Sequence, residues 1–483
     1  MEAEVAEGDR VWVKPHGLPA LFFLALFTTP YAALFAKLGF SPQLDPYSLW
    51  VLLFTAGQAA ASALLSTALG LALLPAYVRA PWLKPVALVP FFAPALSTVD
   101  ALARLHGDFM YGPWGIVLAH GVYYGPYSAL LLESNLRSIP SDLLDALALY
   151  TRRRATAARV LLAELKPSLL YSLYTTYVFS FLSFTTPLLL GGRYPTVELL
   201  VYLYATSFAS TALAAPLVLV SLAASAALAA PFFKIPPPPP AGPAPSTPRV
   251  GPAATAASAA VALYFAVVAA YIFAPLASPR AVGDLARPLA NSLQVALVSS
   301  GAALAMGLLL LVGDAAASKA PAVAYAASLS LSRSVFALGF FYLAQPLYGT
   351  LIALAAAHAL VLTPLVYSLL KPSWDKIRSD VREACVLYLG PTRCVVRAAA
   401  EALGPSIVQA WLLAFAASLS ETTLAYILTA GGEPTIAAAA ARLLTSRAPE
   451  LIEAGHFYSA VLAAAVMAAV AASRLIRPRP YSF

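Results

Sequence analysis

Apolar positions in this chain come as long, nearly unbroken runs rather than in the two- or three-to-four-residue spacing of half-buried elements. Several runs reach the ~20 residues that cross a bilayer core as a helix. Read by hydropathy, six spans fall before the chain's proline run, at roughly 19–39, 50–78, 85–105, 112–134, 168–191 and 200–232. Six more follow, at roughly 256–277, 288–312, 321–344, 347–370, 406–430 and 453–475. The pattern predicts an all-α polytopic membrane protein of about twelve transmembrane helices. The alternating signature of a membrane β-barrel is absent.

Composition sharpens the choice. Of 483 residues, 60% are hydrophobic and only 11% charged, with a mean hydropathy of +0.78, against about 25% charge in a soluble domain. The first residues, "MEAEVAEGDRVWVKPHG", open acidic and read as no cleavable signal peptide. The net charge of +8 follows topology. With the amino terminus inside, about 22 of the 30 basic residues fall on one side, including Arg79, Lys84, Arg154, Lys371, Arg382, Arg393 and Arg397. Lys37, Arg104, Arg193, Arg280, Arg287, Arg442 and Arg447 remain outside. This positive-inside bias puts both termini in the cytoplasm of a cell membrane and leaves no case for nucleic acid.

Between the two sets lies "KIPPPPPAGPAPSTPRVGPAA", where proline forbids helix and an extended linker is expected. The chain thus divides into a first module (1–232), a linker (233–255) and a second module (256–483). A shift of 238 residues without gaps aligns the modules. His120 falls on His358, Pro126 on Pro364, Ile139 on Ile377 and Ser141-Asp142 on Ser379-Asp380. Asp145 then meets Glu383, Ala146 meets Ala384, Tyr150 meets Tyr388, and Pro167-Ser168 meets Pro405-Ser406. Each module has an even number of spans, so the repeats are parallel, one of the repeat geometries of transporters.

The aligned polar stretch carries a resemblance. "SDVREACVLYLGPTRCVVRAAAEALGPS" resembles the EAA loop of ABC-importer permeases. Glu383-Ala384-Cys385 stands for Glu-Ala-Ala, Gly390 for the loop glycine one residue late, and Pro405 for the late proline. In the first module Asp145-Ala146-Leu147 takes that place, Thr151 or Arg152 replaces the glycine, and Pro167 is kept. "FLSFTTPLLLGGRYPTVELLVYLY" and "FAASLSETTLAYIL" are similar to the two halves of fused permeases for ferric iron, thiamine or aminophosphonate. The resemblance implies a type I importer permease in which Asp145, Ala146, Glu383, Ala384, Gly390 and Arg393 couple to two ATPase subunits. It also implies an extracytoplasmic binding protein. Ferric iron or thiamine is the implied cargo, with aminophosphonate, sulfate, molybdate and polyamine as alternatives.

The residues themselves add a second layer. Asp145 and Glu383 near a helix start suit the positive end of its dipole, and small Ala146 and Ala384 allow close approach. No G-x-x-x-x-G-K-[ST] phosphate loop, H-E-x-x-H or G-x-S-x-G occurs, so the chain is not expected to be an enzyme. ATP and Mg would sit on the partner, with no cofactor or metal here. Ionisable groups within spans often mark pathways: Glu421 is a pathway or gating candidate or else a structural carboxylate satisfied by Ser420, Thr422 and Thr423, and Arg333 is a pathway candidate or a snorkelling side chain. His120 and His358 read as a buried pair or as pathway residues. Asp100 and Arg104 are expected near the outer face, in contact with solvent or a binding protein. Cys385 and Cys394, about 13 Å apart along one helix, are too far apart for a disulfide. The rival class is a secondary transporter with parallel repeats; an intramembrane enzyme lacks any catalytic pair at helical spacing.

Overall fold

The computed structural model describes residues 18–39, 44–150, 154–206, 211–229, 231, 252–279, 285–316, 318, 321–323, 325, 332–430 and 432–476. Nearly all of the linker lies outside these residues. Pro252–Thr255, counted with it from the sequence, form the first turn of a helix.

Before the linker run α1 (Leu18–Leu38), α2 (Pro46–Arg79), α3 (Ala95–His106), α4 (Pro113–Leu136), α5 (Ser141–Tyr150), α6 (Arg154–Glu164), α7 (Lys166–Phe181), α8 (Thr185–Leu190), α9 (Val197–Thr206) and α10 (Thr211–Ala229). After it run α11 (Pro252–Phe273), α12 (Ala286–Ala315), α13 (Arg333–Leu343), α14 (Leu351–Asp375), α15 (Ser379–Leu389), α16 (Pro391–Glu401), α17 (Gly404–Ser420), α18 (Thr423–Leu428), α19 (Ile436–Leu444) and α20 (Pro449–Leu475). Ala- and Leu-rich sequence favours helix, and side-chain caps fix the starts. Asp45 accepts from the amides of Tyr47 and Ser48, both at 3.1 Å. Thr350 caps α14 and Ser332 caps α13.

Among the described residues, six helices are long and apolar enough to cross a membrane, and up to eight when each of two bent pairs is one span. The protein is therefore polytopic and all-helical among the described residues, with fewer continuous spans than hydropathy predicts. The expected span 85–105 turns through 100° between residues 92 and 95. Ala93 is extended there (φ −65°, ψ 155°), because a residue before proline is pushed out of the helical region. The expected spans 168–191 and 406–430 are each interrupted, between α7 and α8 and between α17 and α18.

The two modules exchange their first helices. α1 packs on α13, with Phe27 stacked on Phe336 at 5.4 Å. α11 instead lies against α2 and α3, where Phe265, Val268 and Ile272 join Leu73, Val99 and Leu102 in one core. The α1–α13 approach is close: a Cβ on Gly339 would meet the Pro30 carbonyl oxygen at 2.1 Å. Pro30 sits inside α1, and the small residue at the crossing lets the backbones meet.

Candidate functional site

A cavity of about 460 Å³ lies where the interrupted helices converge. Its walls come from α1 (Phe27, Tyr31), α4 (Tyr123, Tyr124), α7 (Phe179), α13 (Arg333, Phe336) and α14 (His358, Leu362), and from the breaks at Leu182–Thr185 and Ser420–Thr423. The breaks matter because each turns polar backbone toward a space that a continuous apolar helix would close off. Non-helical backbone at membrane depth is tolerated where it lines such a cavity.

Glu421 occupies one break in extended conformation (φ −71°, ψ 106°). Its Oε1 accepts the amides of Thr423 at 3.0 Å and Leu424 at 3.3 Å. Its Oε2 accepts from Arg333 Nη1 at 2.8 Å. The neighbouring hydroxyls do not satisfy it, contrary to the sequence expectation: Ser420 and Thr422 donate to main-chain carbonyls. Interrupting the helix frees amides that serve the carboxylate better than hydroxyls already occupied locally. Arg333 is the first residue of α13, and its side chain stays 58% exposed while Glu421 is 9% exposed. The two pathway candidates are thus one ion pair in one cavity.

His120 and His358 are both buried but do not act together. His358 lines the cavity, with Nδ1 2.8 Å from Ser418 Oγ. His120 lies outside its lining, with Nδ1 3.4 Å from Ser62 Oγ.

A second buried carboxylate escaped the sequence reading. Glu198, in the first turn of α9, accepts from Ser221 Oγ at 3.0 Å, Ser332 Oγ at 2.8 Å and Ser334 Oγ at 2.6 Å. Ser332 is the cap of α13, so Glu198 anchors the helix end that presents Arg333. The available signal was a single acid inside "TVELLVYLY". Asp100 also differs from expectation. It is buried rather than solvent-facing, paired with Arg104 at 3.3 Å and His456 at 2.5 Å. α20 packs on α3 and covers it.

The loop candidates form a separate surface. α15 and α16 make a helical hairpin around Gly390, whose φ of +75° suits a residue without a Cβ. Glu383, Ala384 and Arg393 are exposed on it, as are Leu387 and Tyr388. In the first loop Asp145 is exposed and Ala146 half-buried, while Thr151 and Arg152 lie outside the described residues. The hairpin encloses a groove of about 410 Å³ lined by Trp374, Ala384, Tyr388, Arg397 and both cysteines. Cys385 and Cys394 form a disulfide, with Cα atoms 5.5 Å apart. This corrects the sequence estimate, which assumed one straight helix; the turn at Gly390 folds the second cysteine back onto the first.

Comparison with known proteins gives a partial likeness. The chain is 28% identical over 98 residues to a putative ferric transport system permease protein, FbpB 1, of Haemophilus influenzae. It is 29% identical over 98 residues to the ferric transport system permease protein FbpB of Actinobacillus pleuropneumoniae. The matched stretch is 20% of this chain in both cases, and 16% and 14% of those proteins. No family model matches, and no solved structure matches.

Proposed function

We propose that this chain is the permease subunit of an ATP-driven ABC importer, with both halves of the translocation pathway in one polypeptide. The observation that carries this is the make-up of the cavity. Ala95 and Arg333 are 238 residues apart, as are Ser183 and Glu421, Tyr124 and Leu362, and Phe179 and Ala417, and all eight line it. A pathway at the interface of two parallel repeats has this composition. Helix boundaries support the same offset. Shifted by 238, α4 starts with α14, α5 with α15 and α10 with α20, while α8 coincides with α18 at both ends. The exchange of α1 and α11 follows it too, because α3 and α13 share that spacing.

The likeness to ferric transport permeases favours an ABC permease, and iron as one cargo. In this reading Asp145-Ala146 and Glu383-Ala384 begin two coupling helices on the cytoplasmic side, with both termini there. Each coupling helix docks one ATPase subunit, which supplies ATP and Mg, and an extracytoplasmic binding protein delivers the solute. Native mass spectrometry of the purified transporter tests the arrangement. One copy of this chain with two ATPase subunits is expected; two copies per ATPase pair would sink the single-chain pathway.

A further inference from the structure

Resting on the transport reading, we propose that the cavity takes a small organic oxyanion, its charged group held by Arg333 and its carbon body laid against the aromatic wall. The argument starts from what the ion pair leaves open. Of the five guanidinium donors, Nη1 is engaged by Glu421. Nε and Nη2 make no hydrogen bond among the described residues, and the side chain is more than half exposed at the cavity. The carboxylate is in the opposite condition. Its two oxygens are taken by two backbone amides and by Arg333. Arg333 and Glu421 are the only Lys, Arg, Asp or Glu residues in the described lining. A cation entering here meets an exposed guanidinium, behind which the carboxylate is buried and already paired. A carboxylate, phosphate or phosphonate meets a planar donor edge of the shape that binds such groups through two hydrogen bonds.

The aromatic part of the lining supplies the second half of the match. Tyr123 and Tyr124 meet edge to face at 4.9 Å, and Tyr124 lies 5.7 Å from Phe179. The positions 238 residues on are Val361, Leu362 and Ala417, while those before Arg333 and Glu421 are Ala95 and Ser183. The first module thus gives most of the aromatic surface, and the second gives both charges. A solute with one anionic end and one carbon end uses both. A bare ferric ion uses neither, since hard cations need several oxygen donors and no group of three His, Cys, Asp or Glu able to hold a metal exists among the described residues. Iron would enter this cavity only inside an anionic chelate.

The test is equilibrium binding to the full chain in lipid nanodiscs, with phenylphosphonate, orthophosphate and benzyltrimethylammonium as probes. Phenylphosphonate should bind saturably, orthophosphate more weakly, and the aromatic cation not at all. Arg333→Gln should weaken phenylphosphonate binding on the order of tenfold to a hundredfold, the effect of losing a charge-assisted hydrogen bond. Arg333→Lys should fall between, because it keeps charge and loses the fork. Ser183→Trp fills the cavity while leaving both Arg333 and Glu421 in place in the sequence, and should also abolish binding, which keeps the test decisive if an Arg333 variant misfolds. Absence of saturable phenylphosphonate binding to the wild type, preference for the cation, or unchanged binding in Arg333→Gln or Ser183→Trp would each overturn the proposal. Assembly with ATPase subunits reads the transport role separately. A chain that assembles but binds no oxyanion keeps that role and loses this one; the converse removes the importer and leaves the site.

Discussion

Arg333 Nη1 lies 2.8 Å from Glu421 Oε2, across 88 residues of sequence, and the two residues come from opposite kinds of helix end. Arg333 opens α13, while Glu421 closes α17. The carboxylate therefore does two jobs. It holds the guanidinium at the cavity and it satisfies the amides that the break exposes.

Those two jobs separate in substitution. Glu421→Gln keeps an oxygen for the amides of Thr423 and Leu424 and removes the charge facing Arg333. On the importer reading, solute uptake in proteoliposomes should fall while co-purification with a partner ATPase is unchanged. Because Arg333 is more than half exposed, the stability loss should be about 1 kcal/mol or less. Uptake equal to wild type would make the pair a structural clamp only.

Glu198 should behave differently, because its partners are themselves buried. Glu198→Ala leaves the hydroxyls of Ser221, Ser332 and Ser334 without their acceptor, at about 1–3 kcal/mol for each that finds no substitute. Thermal unfolding in detergent should occur at clearly lower temperature, whereas Glu198→Gln, which can still accept, should lose less. Equal loss in the two variants would show that carboxylate charge rather than hydrogen bonding sets this site.

Cys385 and Cys394 give a direct chemical check of the hairpin. Denatured without reductant, the chain should take up no maleimide-polyethylene glycol; after reduction it should take up two. Two adducts without reductant would mean that the hairpin is not bridged. Gly390→Val should reduce the oxidised fraction, since a β-branched residue at positive φ is strained and the turn is what brings the cysteines together.

How far the sequence reached depended on the kind of information needed. Long apolar runs located the helices, and the charge pattern located the polar loops, because both are read from neighbouring residues. Breaks inside apolar segments were invisible to hydropathy. Ala93-Pro94 and Glu421-Thr422 change the backbone without changing the average. Arg333 and Glu421 were each legible as an intramembrane charge, yet their pairing was not, because it spans two elements. Glu198 was harder still: its three serine partners are 23, 134 and 136 residues away. The disulfide is hidden for the converse reason, since distance along one helix fails once a glycine turns the chain.

The loop surface carries the last prediction. Ala384 is exposed and lines the hairpin groove, and Ala146 holds the place 238 residues earlier. A tryptophan at either site adds a ring where the coupling reading requires a fitted contact, and overpacking of such a contact costs on the order of 1–3 kcal/mol. Ala384→Trp should therefore reduce co-purification with the ATPase and lower substrate-stimulated ATP hydrolysis in proteoliposomes. Ala146→Trp should act in the same direction but more weakly, since its loop lacks the glycine that turns the second hairpin and the residue itself is half-buried rather than exposed. Ala384→Ser adds little volume and should leave both measurements unchanged, which separates crowding from simple loss of alanine. The membrane-embedded helices should survive both tryptophans, as judged by thermal unfolding. Full ATPase binding and full coupled hydrolysis in both variants would remove the hairpin as a docking element. Its exposed arginines would then serve only to hold the loop on its side of the membrane.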